Sequence, residues 1–571
     1  MLKISIGFSW AAGTGVNTSG LLLGQLLVSK WYTILGDKEY ASIIKWDNND
    51  FFLYISDTDS FISKKIDHFF PFDEYSVTKN EKIYTLKKIH KLKKTDVKYK
   101  NVYFFWASLK LLGIAREEWE KLLAKQFFGD ILAKNMECLA QWYEYFKTSA
   151  YDLSKNIWPA KEFLFGNELI ATWAIASGMD FYAAYPMTPA SSLIDVIVPF
   201  CSPERGEEYR WVLNSSLRSA WPCVFFQWED EIAVSMAMLW AKFAGKRAMC
   251  GTSGGGFALM TESISFSHIA ELWWVYILSQ RDGPSTGTPT YTWQSDLNYA
   301  LNASFGDTFP IVLAPSTYEE WYTLIWKALN RSDQYQHPVI FLVDKQFSES
   351  YLSVDKSKLV AEQINRGKPA SFAKGGEGGF NYKRYAYTSD GISPVMLPGT
   401  ENGEFIATSY EHDEYGATNE DPIIKKEMTD KRFKKLETFV QQEFTKDFYG
   451  YEIINPEAKI FFVTFGFNRY VIEDFIRGKG KGSRSQVPGS TPKYGLIVIK
   501  VFQPFDIRLK EFLDQRVKNI KNLVFVEMNY SWQLQDLISN KCLLNDKKWK
   551  NKIANIRKYT LYPVFAEDIV L

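Results

Sequence analysis

The sequence predicts an α/β protein of three domains built around largely parallel sheets, and three observations carry that expectation. Short apolar runs rich in β-branched and aromatic residues alternate with helix-period segments along most of the chain. The 571 residues exceed what one hydrophobic core organises. A lysine- and glycine-rich stretch interrupts the alternation, so the chain reads as domains at 1–155 and 160–350, a linker at 351–390 and a last domain at 391–571.

The first domain opens with a strand at residues 2–7, the loop AAGTGVNTSG and the helical GLLLGQLLVSKW. That run leads straight into a strand-to-loop transition, which reads as folded structure rather than a signal peptide. Thr18 stands where a third glycine would complete GxGxxG, which disfavours a dinucleotide site. A strand at 51–55 and helical segments through about residue 150 complete the domain. The second domain alternates NELIATWAIASG, FYAAY, VFFQ, a helix after Glu231, RAMCGTS, FALMTESISFSHIAEL and WVYIL, the pattern of a parallel sheet covered on both faces. In the last domain KIFFVTF, YGLIVIKV and NLVFVEM are strands, and GKGKGSRSQVPGS reads as a solvated insertion.

Composition narrows the function. With 67 basic and 66 acidic side chains there is no electrostatic footprint for nucleic acid or an anionic membrane. No apolar run reaches the roughly 18 residues of a span. The five cysteines form no CxxC pair, so buried thiols in a reducing cytoplasm are expected, not a disulfide framework or a cluster site. His268 reads as a core histidine, and no metal site is expected on this chain.

Three motifs carry chemistry. Tyr185-Pro186-Met187-Thr188-Pro189 leaves the C-terminal end of a parallel strand, where open α/β sheets place ligands. Glu229-Asp230-Glu231 precedes an apolar helix, and three acids exceed what capping needs. Arg281 opens RDGPSTGTPT, offering a bidentate carboxylate site beside glycines at 283 and 287.

YPMTP, EDEIA, TSGGGFALMTE and RDGPSTGTPT, in that order, closely resemble the α subunit of the 2-oxoacid:ferredoxin oxidoreductases. The likeness implies an N-terminally fused γ-type domain, a pyrimidine-binding domain of the thiamine diphosphate fold, and a transketolase C-terminal-like domain. GISPVMLPGT, ATSYEHDEYGATNEDP and FVEMNYSWQLQDLI carry it into the last of these. By this resemblance Glu231 is the glutamate facing N1′ of the thiamine aminopyrimidine, with Glu229 and Asp230 beside it. Thr188 and Arg281 hold the substrate carboxylate, and Tyr185, Pro186, Pro189, Gly283, Ser285, Thr286 and Gly287 complete the substrate side. The implied reaction is oxidative decarboxylation of 2-oxoglutarate or pyruvate with coenzyme A, electrons passing to ferredoxin. The chain has neither GDG followed by asparagine nor a cysteine set. Thiamine diphosphate is therefore expected to be shared with a β subunit that carries Mg²⁺ and the iron–sulfur cluster, in an αβ or α2β2 enzyme. A transketolase-type enzyme would need the missing diphosphate motif, and a non-catalytic partner would have no use for Thr188, Glu231 and Arg281 together.

Some positions depart from the family. Asp47 and Asn48 stand where its γ domain tends to have Gly-Gly-His, and Val395 replaces a frequent arginine. Seven of the 19 tryptophans (Trp10, Trp31, Trp106, Trp142, Trp173, Trp240 and Trp532) stand where the family usually has glycine. Overpacking at such positions would cost about 1–3 kcal/mol each. A gene in which UGA encodes glycine, translated here with UGA as tryptophan, would account for them; genuine divergence is the alternative.

Overall fold

A computed structural model describes residues 2–11, 15–40, 47–91, 100–142, 145–154, 161–201, 223–359, 361–369, 382–445, 448, 450–481, 492–543, 547–549 and 551–570. The AKGGEGG stretch and most of the basic glycine-serine loop lie outside the described residues.

In chain order the strands are β1 (Lys3–Ala11), β2 (Thr33–Glu39), β3 (Asn48–Ser56), β4 (Lys65–Pro71), β5 (Thr85–Ile89) and β6 (Glu162–Phe165). There follow β7 (Phe181–Ala184), β8 (Val224–Gln227), β9 (Ala248–Thr252), β10 (Val275–Gln280), β11 (Ile311–Leu313), β12 (Val339–Asp344) and β13 (Tyr351–Val354). The last are β14 (Tyr451–Ile454), β15 (Ile460–Thr464), β16 (Tyr494–Ile499), β17 (Val501–Gln503), β18 (Asn522–Glu527) and β19 (Ile553–Arg557). They form three sheets, ordered β5-β4-β1-β3-β2-β13-β6, β17-β11-β12-β10-β9-β7-β8 and β14-β16-β15-β18-β19. The middle sheet is parallel from β11 to β8, so the strand ends that carry its loops share one edge. The interior of β9, β10 and β12 is apolar and buried, which follows from helices covering both faces.

Two strands cross the boundaries read from the sequence. Residues 351–354, expected in the linker, form β13, which pairs antiparallel with β2 and β6 in the first sheet. Likewise β17 leaves the last sheet and pairs antiparallel with β11. Both are non-local pairings that close exposed sheet edges. The cysteine expectation also needs correcting. Cys201 and Cys223 are joined by a disulfide, while Cys138, Cys250 and Cys542 are buried free thiols. The helix Ser192–Cys201 ends beside the start of β8 because β7 and β8 are neighbours, a closeness that 22 residues of separation conceal. No described helix is long and apolar enough to cross a membrane.

The seven unusual tryptophans divide by environment. Trp106 and Trp173 are buried, Trp10 stacks on Phe72, and Trp240 is 71% exposed, so overpacking is not the common factor. The side chain of Trp142 lies outside the described part. Backbone strain singles out two. Trp31 has φ 72° and Trp532 φ 60°, the left-handed region that favours glycine. After the helix Val16–Ser29, Trp31 N–H donates to Val28 O at 2.7 Å and Tyr32 N–H to Leu27 O at 3.1 Å. That pair is a Schellman motif with tryptophan at the position glycine normally fills.

Candidate active site

The middle sheet brings the three predicted motifs to the C-terminal ends of its strands. β7 ends in the loop carrying Thr188, β8 leads to the helix Glu231–Phe243, and β10 runs into Arg281. The Arg281 guanidinium donates to the Thr188 carbonyl at 2.7 Å, locking the first and third motifs together. Asn167, on the helix Gly166–Ala176, braces the first loop by donating to Pro189 O and Ser192 Oγ, each at 2.7 Å.

The three acids divide as helix-capping chemistry requires. Asp230 is the N-cap, its carboxylate accepting from Ala233 N–H at 2.7 Å. Glu229 is exposed, and Glu231 turns inward to 3% exposure. Burial pushes the Glu231 carboxyl above the usual range, and Arg281 partly offsets this. Its Oε1 has no hydrogen-bond partner among the described residues, and the same holds for Ser253 Oγ and Gln280 Nε2. Buried polar atoms left unpaired are costly, so three at one strand edge mark a place built for a ligand. An unpaired carboxylate oxygen can accept from a protonated ring nitrogen, such as that of the thiamine aminopyrimidine.

Glycine shapes this pocket at Gly256, where a Cβ would lie 2.5 Å from Glu231 Oε1. Asp296, to which the sequence reading gave no role, is the other site carboxylate. It is half-buried, its N–H donates to Gln280 Oε1 at 3.0 Å, and desolvation raises it to about 6 against the pull of Arg281. A Cβ on Gly254 would meet its Oδ2 at 2.8 Å. The SGGG run after β9 thus lets the backbone reach both carboxylates, and a triple glycine after a strand was the signal available for it. Asp296 ends the Gln294-Ser295-Asp296 run that follows RDGPSTGTPT, where its place in the third motif was legible and its role was not. Burial lowers Arg281, and Asp296, Tyr40 and Glu231 hold its charge. Tyr40 thereby brings the first domain to the site, where its hydroxyl donates to Glu349 Oε1 at 2.7 Å.

The remaining predicted residues lie around this centre. Tyr185 and Pro186 are exposed, Thr188 and Gly283 half-buried, and Ser285, Thr286 and Gly287 exposed on the rim. Gly287 has a structural reason of its own, since its φ of 50° folds the loop back on Asp282, whose Oδ2 accepts from Thr288 N–H at 2.9 Å. His268 is buried, with Nδ1 3.3 Å from His337 Nε2, away from the site.

Residues 173–430 match the family model described as pyruvate flavodoxin/ferredoxin oxidoreductase, thiamine diphosphate-binding. The chain is 29% identical to the 2-oxoacid:ferredoxin oxidoreductase α subunit of Saccharolobus solfataricus, across 94% of this chain and 93% of that one. It is also 30% identical to the KorA subunit of 2-oxoglutarate synthase from Methanothermobacter thermautotrophicus, across 50% of this chain and 72% of that one. The chain belongs to the 2-oxoacid:ferredoxin oxidoreductases, as an α subunit. Its fold agrees, with a TM-score of 0.82 to the 2-oxoglutarate:ferredoxin oxidoreductase of Magnetococcus marinus at 23% identity, covering 99% and 98% of the two chains. That structure was solved with 2-oxoglutarate, coenzyme A and succinyl-CoA bound. The family's thiamine-binding segment therefore spans Thr188, Glu231 and Arg281.

Proposed function

We propose that this chain supplies the proton-handling and carboxylate-gripping half of an active site completed by a β subunit. The assembled αβ or α2β2 enzyme oxidatively decarboxylates 2-oxoglutarate or pyruvate with coenzyme A, giving acyl-CoA, CO₂ and two electrons for ferredoxin. The observation that carries this reading is the buried Glu231 carboxylate, with one oxygen unpaired, beside the Arg281–Thr188 contact.

Thiamine diphosphate, when bound, supplies the nucleophilic carbon that 2-oxo acid decarboxylation needs. Glu231 holds the proton at the aminopyrimidine N1′, and its raised carboxyl suits that exchange. Arg281 and the Thr188 hydroxyl orient the substrate carboxylate in a partly desolvated site. Tyr185, Pro186, Pro189, Gly283, Ser285, Thr286 and Gly287 line the substrate side, with Glu229 and Asp230 flanking Glu231. The β subunit brings Mg²⁺, the diphosphate grip and the iron–sulfur cluster, and the complex works in the cytoplasm. An apolar surface supports the partner. Phe226 and Trp228 on and after the edge strand β8, Ile232 on the next helix, and Leu259 are 40–52% exposed, apolar side chains that a partner would cover.

The test is co-expression with a β subunit, following viologen or ferredoxin reduction with a panel of 2-oxo acids and coenzyme A. Glu231→Gln is expected to lower kcat by about 10²–10⁴ while substrate still binds. A variant with the parent kcat would remove Glu231 from the chemistry.

A further inference from the structure

At the opposite edge of the middle sheet lies a cleft of about 880 Å³, the size of a small-molecule site. Its walls include Lys242, Arg366, Lys368 and Arg384 together with Phe243 and Trp273. The charges behind these walls do not balance. Asp333 faces Lys242 at 2.5 Å, Arg247 at 3.3 Å and Arg366 at 3.8 Å. Glu271 faces Lys431 and Lys435, each at 2.5 Å, and its carbonyl accepts from Arg384 at 2.6 Å. Lys242, Arg247, Lys431, Lys435 and Arg384 are each at most 8% exposed. Asp180 adds one carboxylate, accepting from the Arg247 N–H, and the rim carries Lys368 against Asp390 and Arg331 against Glu362. Among the described residues cations still exceed carboxylates around the cleft, with Glu443 counted as the second partner of Arg331 and Lys327 as the second partner of Glu362.

Excess buried positive charge is expensive unless a counter-charge is near. Burial and the neighbouring cations hold Lys242 down to about 8 and Lys435 to about 7. Arg384, 1% exposed on the wall, has an Nε with no hydrogen-bond partner among the described residues. We infer that this cleft binds a multivalent anion of small-molecule size, a phosphorylated or polycarboxylate compound, with Lys242, Arg366, Lys368 and Arg384 as its cationic walls. The half-buried Phe243–Phe405 pair, ring centroids 5.1 Å apart, offers an apolar wall to any aromatic body the anion carries. The cleft is an effector site rather than a second substrate site. The helix that starts at Glu231 ends here at Lys242 and Phe243, about 20 Å away. β10, which starts beside Trp273, runs from the cleft to Arg281.

The test uses the αβ holoenzyme saturated with thiamine diphosphate, so that the diphosphate site is filled. Pyrophosphate, ADP and citrate are titrated calorimetrically against it and against Arg366→Ser/Lys368→Ser, two rim substitutions. At least one probe is expected to bind below about 1 mM and to weaken by about tenfold or more in the double variant. Pyrophosphate or ADP binding without citrate assigns phosphate chemistry, and citrate binding without them assigns carboxylate chemistry. No binding by any probe, or equal affinity in the variant, overturns the inference. Hydrogen exchange on the parent enzyme decides the matter should the variant not fold. Protection within residues 242–247 and 362–369 supports the cleft, and protection confined elsewhere overturns it.

Discussion

Replacing Trp31 and Trp532 by glycine tests whether these positions are built for glycine. A non-glycine residue in the left-handed region costs about 1–2 kcal/mol. Glycine returns about 0.5–1 kcal/mol of that through the extra freedom of the unfolded chain. At Trp31 the Schellman hydrogen bonds are backbone contacts and survive the substitution. The half-buried indole gives up some packing, so Trp31→Gly is expected to change stability by no more than about 1 kcal/mol either way. At Trp532 the indole also stacks under the Arg557 guanidinium at 4.4 Å, worth about 0.5–1 kcal/mol, which leaves Trp532→Gly close to neutral. Trp119, fully buried in the same domain as Trp31 and outside the seven, is the control. Trp119→Ala is expected to cost about 3–5 kcal/mol. Thermal unfolding separates the cases, at about 2–4 °C per kcal/mol for a domain of this size. Loss of 3 kcal/mol or so at Trp31 would refute the strain argument, since the indole would then be repaid by packing. Mass spectrometry of the protein from its native host checks all seven positions, with glycine expected at each.

Gly256→Ala is expected to abolish turnover, because its Cβ would collide with Thr252 Oγ1 and lie 2.5 Å from Glu231 Oε1, and to cost about 1–3 kcal/mol of stability through overpacking of that buried corner; unchanged kcat contradicts this. Arg281→Met should raise KM for the 2-oxo acid by about 10- to 150-fold, from a lost charged contact of about 1.5–3 kcal/mol, read from initial rates. Asp296 has a folded-state value of about 6, above its ordinary 3.8. The native state therefore binds more protons between those values, and this contribution to stability is full below pH 3.8 and lost as pH rises to about 6. Asp296→Asn should be more stable than the parent above pH 6, by up to about 3 kcal/mol, with the difference vanishing below pH 4 in a melting series.

How much could be read in advance follows from which interactions are local. The alternation of β7 to β10 with helices was legible because side-chain period is set by backbone geometry within a few residues. The helix FALMTESISFSHIAEL was legible as a whole, but its break at Met260 was not. Glu231 could be chosen from three acids because it is the first residue of the helix, whereas Asp230 is its cap.

The sequence by itself determined the α/β class, the order of the motifs and membership of the 2-oxoacid:ferredoxin oxidoreductases, since these rest on periodicity and on residues close in the chain. Tertiary structure decided the rest. It joined Arg281 to the Thr188 carbonyl across 93 residues, brought Asp296 beside Arg281, put β13 into the first sheet and linked Cys201 to Cys223. It also gathered six cations around Asp333 and Glu271 from segments between residues 242 and 435. Charge balance in a buried cluster depends on through-space distance, and no spacing along the chain encodes it.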